Sequence, residues 1–403
     1  QNHSVSMRLS SIYYTFILSF LVASSCQQGS TDSQMTDIQL LIDSLRLEYA
    51  PDKRVAIWEI NTTETPRGLQ IKGTTNLPGA KEALQATLEQ QQLEWMDSIR
   101  VLPNPDLENN IFGIVNLSAC NIRSRPAHSE ELATQSTLGT LLKIWDKSDD
   151  WYRVQTPDGY LGWLDTGGLQ LINPQIRDEY LGSDRVIFLP DIGFSYVEAN
   201  ENSQPVSDLL AGNILIRIGR QGRFTQVAYP DGRKAFVRSD QLADWDEWLA
   251  SRRPTPANIL ADAQRMLGRP YLWGGTSGKA FDCSGFTKTV FYLNGLILPR
   301  DASQQKKVGA PLNTSDIRDL QAGDLLFFGR AATAEQKEKI THVAIYMGNQ
   351  KIIHATGSVK IESLNPEDPD FAAERLATFV RATRPLQAPG KYGISALNNS
   401  EWY

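Results

Sequence analysis

The chain has 403 residues, 41% of them hydrophobic and 21% charged, which is enough for two to four domains with real cores and gives no compositional sign of disorder. Its formal net charge is -6, and no block of five or six like charges occurs, so an electrostatic case for binding nucleic acid is missing.

The segment MRLSSIYYTFILSFLVASSC opens with Met7 and Arg8, runs apolar from Ile12 to Ala23, and sets small residues directly before Cys26. That is the pattern of a secretory signal, with residues 1–6 as upstream sequence. Small residues abutting a cysteine resemble the lipobox of bacterial lipoproteins, which implies a signal over residues 1–26, a lipidated Cys26 and a polar tether QQGSTDSQ. A cleaved signal with an incidental cysteine, or an uncleaved anchor, are the alternatives. The apolar core is short for a spanning helix. All of these readings take the protein out of the cytoplasm, and membrane contact is expected only through the N-terminal lipid.

Residues 27–110 read as a small α/β region. An amphipathic run TDIQLLIDSLRLEY precedes two extended runs, RVAIWEIN and GLQIKGT, and a second helix-like run, AKEALQATLEQQQLEWMDSI, with PNPD as the break. From residue 111 the text turns to short strand-length pieces, and it repeats once. WYRVQTPDGYLGWL at 151–164 is echoed by FTQVAYPDGRKAFV at 224–237, each a strand, a Pro-Asp-Gly turn and a second strand. Two small barrels are expected, at 111–173 and 174–246, and the pattern resembles bacterial SH3-like domains. The second copy lacks the Tyr and Trp of DGYLGW, having Arg233 and Phe236 nearby, so a binding role falls to the first.

Residues 256–386 read as one α/β domain, with helices at 257–267 and 284–294 and strands at 324–328, 342–347, 351–355 and 377–382. The last residues, 387–403, carry Gly, Asn and Ser and are expected to form a loose tail.

The chemistry concentrates in GKAFDCSGFTKTVF, where Cys283 stands at the start of a helix-like run. A thiol there meets unpaired backbone N–H groups and the positive end of the helix dipole, which lower its pKa and offer an oxyanion hole. Asp282 is suited to cap the helix, and Ser284 and Gly285 keep its entrance small. Cys120 is the other cysteine beyond the signal and fits a buried strand position better than a bridge to Cys283. Of the four histidines, His3 precedes the signal and His128 lies in a polar loop, while His342 and His354 share the domain of Cys283. THVAIYMGNQKIIHATG reads as a hairpin turning near Gly348 and Asn349, which brings the two imidazoles within about a residue of facing each other. One can act as base towards the thiol while the other orients it. A zinc site from the same three residues lacks a usual spacing and a fourth ligand. Ser284 has no G-x-S-x-G context, and phosphate-loop and dinucleotide fingerprints are missing, so neither metal nor organic cofactor is expected.

RPYLWGG (269–275), FDCSGF (281–286), LPRDASQQ (298–305), QAGDLLFF (321–328), THVAIYMG (341–348) and IIHATG (352–357) together resemble the NlpC/P60 cysteine peptidases. The resemblance implies an α+β protein: a papain-like catalytic domain preceded by two small SH3-like barrels and the N-terminal α/β region. It implies a Cys-His-His triad of Cys283 as nucleophile, His342 as base and His354 as orienting residue, with Tyr271 at the oxyanion site. The domain order is similar to that of γ-D-glutamyl-L-diamino-acid endopeptidases acting on muropeptides with a free N-terminal L-Ala. By that likeness Glu131 and Tyr160 contact the substrate amine, Asp282 and Ser284 add contacts at the same end, and Arg300 and Ser303 hold the D-Glu α-carboxylate. The expectation is an exported, monomeric hydrolase of peptidoglycan-derived peptides. The alternatives are a wall-binding protein without catalysis, or an amidase with an open groove acting nearer the sugar.

Overall fold

The computed structural model describes residues 31–313, 316–387 and 393–403. The expected signal and Cys26 lie outside the described residues. Helix α1 (Thr31–Tyr49) buries Ile38, Ile42 and Leu45, spaced as one helical face requires, and α2 (Pro78–Gln90) buries Ala80, Leu84 and Leu88. Both cover a three-stranded sheet of β1 (Trp58–Thr65), β2 (Gly68–Thr75) and β3 (Met96–Val101), in which β3 runs parallel to β2. The second helix is therefore shorter than its periodicity suggests. The chain turns at Gln92, whose φ is +54°, and MDSIRV becomes a strand that puts Ile99 into the same core as Leu88.

Seven strands follow as a single antiparallel sheet: β4 (Phe112–Val115), β5 (Ala119–Arg123), β6 (Leu132–Thr137), β7 (Leu141–Ser148), β8 (Trp151–Gln155), β9 (Leu161–Asp165) and β10 (Leu169–Ile172). Helix α3 (Pro174–Leu181), capped by the Asn173 side chain, leads into a second set of seven. These are β11 (Arg185–Phe188), β12 (Ile192–Tyr196), β13 (Pro205–Leu210), β14 (Ile214–Gln221), β15 (Phe224–Ala228), β16 (Lys234–Arg238) and β17 (Leu242–Asp244). The first sheet has the order β10-β4-β7-β8-β9-β5-β6, and the second, taken from its other edge, β17-β11-β14-β15-β16-β12-β13. The connectivity is the same, and the two Pro-Asp-Gly hairpins of the sequence occupy equivalent strand pairs, β8–β9 and β15–β16. Cys120 is an unbridged thiol buried in the core of the first sheet.

Helices α4 (Trp245–Ser251) and α5 (Pro256–Arg265) enter the last unit. There the two-stranded ribbon β18 (Thr276–Ser277) and β19 (Ala280–Phe281) delivers the chain to α6 (Cys283–Leu293), followed by β20 (Leu296–Ile297) and α7 (Ala302–Gln305). Strands β21 (Ala310–Leu312), β22 (Leu325–Arg330), β23 (Lys339–Gly348), β24 (Lys351–Thr356) and β25 (Ser358–Ser363), then α8 (Ala373–Ala377) and β26 (Phe379–Arg384), form an antiparallel sheet ordered β21-β26-β22-β23-β24-β25. Strand alternation splits its side chains. Val343, Ile345, Ile353 and Ala355 join Cys283 and Phe286 in one core, while Ala344, Tyr346 and Ile352 join a second.

The C-terminal segment is not a loose tail. β27 (Ser395–Ala396) pairs with β20, Ile394 and Leu397 are buried, and Tyr403 stacks on Trp245 beside Tyr292. Three large side chains, Ile394, Leu397 and Tyr403, anchor an otherwise polar segment.

Candidate active site

Asp282 is the N-cap of α6, its Oδ1 accepting the Gly285 N–H at 2.7 Å. The other oxygen accepts the Gly274 N–H at 3.0 Å, and Arg300, 2% exposed, lays its guanidinium across both. Arg300 also donates to Ser284 Oγ at 3.0 Å. Asp282, Ser284 and Arg300 thus form one buried ionic knot that fixes the helix start. Arg300 is turned inward by that knot, contrary to the expectation that it reaches a substrate carboxylate. Gly285 has a steric reason: a Cβ there would lie 1.9 Å from the Gly275 carbonyl oxygen. The helix start can approach the preceding turn only without a side chain.

Cys283 is the first residue of α6 and is buried. Its resting thiol is not acidic, contrary to what a helix N-terminus alone suggests. Burial and then the Asp282 carboxylate push it up to about 11, against opposing backbone N–H groups of Val343 and Ser284. Tyr271 sits beside it, half-buried, with its phenol raised to about 12 by burial and by the Cys283 and Asp282 charges. It therefore keeps its proton at neutral pH.

The hairpin of β23 and β24 turns at Asn349 and Gln350, both at positive φ, one position later than the sequence suggests. Pairing of Ile345 with Ile353 makes His354 a diagonal neighbour of His342 on one face. Their rings meet edge to face, with His342 Nε2 2.7 Å from His354 Nδ1. His354 Nε2 in turn lies 2.8 Å from Glu362 Oε2 on β25. The network assigns the tautomers. The carboxylate takes the Nε2–H of His354, whose Nδ1 then accepts from His342 Nε2–H, leaving His342 Nδ1 as the basic nitrogen. Burial, reinforced by His354, holds His342 well below its usual 6.5, and burial lowers His354 to about 4 despite Glu362. Both rings are neutral at physiological pH. Glu362 was not singled out from the sequence.

The first seven-stranded unit borders this site. Gln135 on β6 and Thr276 on β18 exchange three hydrogen bonds of 2.9–3.2 Å. Gly274, at φ +81°, presses against the Leu132 carbonyl, where a Cβ would come within 2.1 Å. Glu131 accepts from the indole N–H of Trp273 at 2.7 Å, and Trp273 is 64% exposed. Tyr160 is buried and donates to Asp301 Oδ2 at 3.2 Å. Glu131 and Tyr160 therefore stand on different partners. Ser303 accepts from Arg54 at 2.8 Å, a cation from the N-terminal region that carries no motif.

The NlpC/P60 family model matches residues 268–377, and the bacterial dipeptidyl-peptidase Sh3 domain matches 122–169. A γ-D-glutamyl-L-lysine dipeptidyl-peptidase of Bacillus cereus is 32% identical over 249 residues, spanning 59% of this chain and 72% of that protein. Its namesake in Bacillus subtilis is 32% identical over 232 residues, spanning 56% and 72%. Among solved structures, an NlpC/P60 family protein of Bacillus cereus superposes with a TM-score of 0.58 at 24% identity, covering 68% of this chain and 99% of that one. An NlpC/P60 endopeptidase of Photobacterium damselae covers 90% of this chain and 85% of its own at a TM-score of 0.52 and 15% identity.

Proposed function

Because the chain belongs to the NlpC/P60 family of cell-wall peptidases, we propose that it hydrolyses the bond between γ-D-glutamate and a diamino acid in short peptides from peptidoglycan. The substrate class is suggested by the names of the two Bacillus relatives and the match of an accompanying Sh3 domain. The observation that carries the catalytic part is the aligned His342–His354–Glu362 chain, whose two histidines stand on strands β23 and β24 that pack against the helix starting at Cys283.

In this reading His342 Nδ1 takes the thiol proton as Sγ attacks the γ-carbonyl of D-glutamate. Resting thiol and imidazole are both neutral, so the proton moves with the attack rather than before it. The oxyanion accepts from unpaired N–H groups at the start of α6 and from the Tyr271 hydroxyl. The His342 proton then passes to the leaving amine, releasing the diamino acid and leaving a thioester on Cys283. Water, deprotonated by His342, completes the cycle. His354 orients His342, and Glu362 orients His354 and stabilises the transient positive charge.

In this reading Glu131 and Tyr160 would close the end of the substrate groove on the side of the first β unit and receive the free amine of L-Ala, with Asp282 and Ser284 adding contacts at the same end. Ser303 keeps its own hydroxyl hydrogen for the D-glutamate α-carboxylate. We read both seven-stranded units as SH3-like barrels, the second as spacer, and the enzyme as an exported monomer tethered through Cys26. The test is product analysis with L-Ala-γ-D-Glu-diaminopimelate, its L-Lys counterpart and an N-acetylated twin. Cleavage of unblocked peptides with rejection of the twin is expected; equal cleavage of blocked and unblocked peptides would remove the amine pocket.

A further inference from the structure

The segment before β1 does more than connect. The Arg54 carbonyl accepts the Leu161 N–H at 2.7 Å, the Val55 carbonyl accepts Gln155 Nε2 at 3.1 Å, and Ile57 packs with Leu102, Trp145 and Leu161. The N-terminal backbone is thereby fastened beside Tyr160. From that anchor the Arg54 guanidinium grips both Asp52 oxygens, through Nε and Nη2, each at 2.7 Å. Its Nη1 reaches Asp301 Oδ2 and Ser303 Oγ, each at 2.8 Å. Asp52 also accepts from Gln304 at 2.9 Å, so the clamp spans the whole start of α7.

Asp301 Oδ2 is the atom that also accepts the Tyr160 hydroxyl. One carboxylate oxygen therefore joins the N-terminal region, the first β unit and the catalytic domain. Asp301 follows Arg300, which holds the cap of the Cys283 helix. Arg54 is 31% exposed and Asp301 28%, and ion pairs that wet add little stability. The bidentate fork on Asp52 does fix the direction of the guanidinium, and so aims its Nη1 at Asp301, which an ammonium making single contacts does not do.

We infer that Arg54 is a positioning residue: by clamping Asp301 it fixes the Tyr160 hydroxyl at the groove rim, so that the N-terminal region completes the substrate-binding end of the site. The inference rests on the proposed role of Tyr160 for its kinetic consequence, though not for its geometry.

The experiment uses the full chain with Arg54→Ala and Arg54→Lys. Loss of one charge-assisted bond network should raise KM for the unblocked peptide about tenfold, with kcat within about twofold, and narrow the preference over the N-acetylated twin. Lysine should recover part of the loss, because it restores one donor to Asp301. An unchanged KM in Arg54→Ala overturns the inference, as does a loss of kcat that parallels a fall in melting temperature and is not rescued by lysine. A crystal structure of Arg54→Ala decides the geometry without activity. Tyr160 moved off Asp301 supports the clamp, and an undisturbed Tyr160–Asp301 bond refutes it. Failure of the wild type to distinguish the two peptides would count against the amine pocket, leaving that structural result to judge Arg54.

Discussion

Replacing Glu362 by Gln isolates the charge at the far end of the histidine chain. The amide oxygen can still accept the His354 Nε2–H now held at 2.8 Å, so the tautomers of both rings survive and only the negative charge is lost. A hydrogen bond to a charged partner contributes about 1.5–3 kcal/mol, or roughly ten- to more than a hundredfold in rate when it acts in the transition state. Glu362 belongs at the lower end. Its side chain is 22% exposed, and Lys360 sits 2.6 Å away, so its field is partly neutralised. We expect Glu362→Gln to lower kcat/KM about tenfold at neutral pH, and Glu362→Ala, which also removes the acceptor, to lower it further. Because Glu362 raises the pKa of His354, its loss should shift the acid limb of the pH–rate profile to lower pH even as the plateau drops. The assay is steady-state release of diamino acid across about pH 4–9 with melting temperature as control. An unchanged plateau and limb in Glu362→Gln would reduce Glu362 to a strand-surface ion pair and refute the relay.

Three further outcomes follow from the same geometry. The buried Cys283 thiol, near 11, should be alkylated by iodoacetamide at a rate still climbing between about pH 8 and 10; a plateau below pH 8 would mean a resting thiolate. His354 is 0% exposed and lowered from 6.5 to about 4, so the unfolded chain binds the extra proton first. Its contribution is complete above about pH 6.5 and is lost as pH falls towards 4, a cost of roughly 3 kcal/mol that urea melts should show and that His354→Phe should abolish. Arg300→Ala strands a buried Asp282 carboxylate and should cost about 3–5 kcal/mol of stability; a variant as stable as wild type would show that the ionic knot does not hold the helix start.

What the sequence made legible was local. A cap, a thiol and a small residue in four consecutive positions specify the start of α6, and a two-residue turn between apolar runs specifies the histidine hairpin. The repeated Pro-Asp-Gly hairpins likewise fall on equivalent strands of two units with one connectivity. Glu362 escaped because it needs a third strand: β25 pairs Lys360 with His354, and the carboxylate arrives only as a diagonal neighbour. Arg54 escaped because its partners lie 247 and 249 residues away, a distance at which composition carries no register. The acidity expected of Cys283 failed for a related reason, since helix position is local whereas burial is set by the packed sheet. In the tail, Gly, Asn and Ser outnumber the anchors Ile394, Leu397 and Tyr403 that decide its place.

Cleavage after γ-D-glutamate is assigned to Cys283 and His342. It is tested most directly by mass spectrometry of products from L-Ala-γ-D-Glu-diaminopimelate incubated with wild type, Cys283→Ala and His342→Ala, each verified as folded. L-Ala-γ-D-Glu and free diaminopimelate are expected from the wild type, and neither from the two variants. Cleavage that persists in Cys283→Ala, or wild-type products cut at another bond, would contradict that assignment.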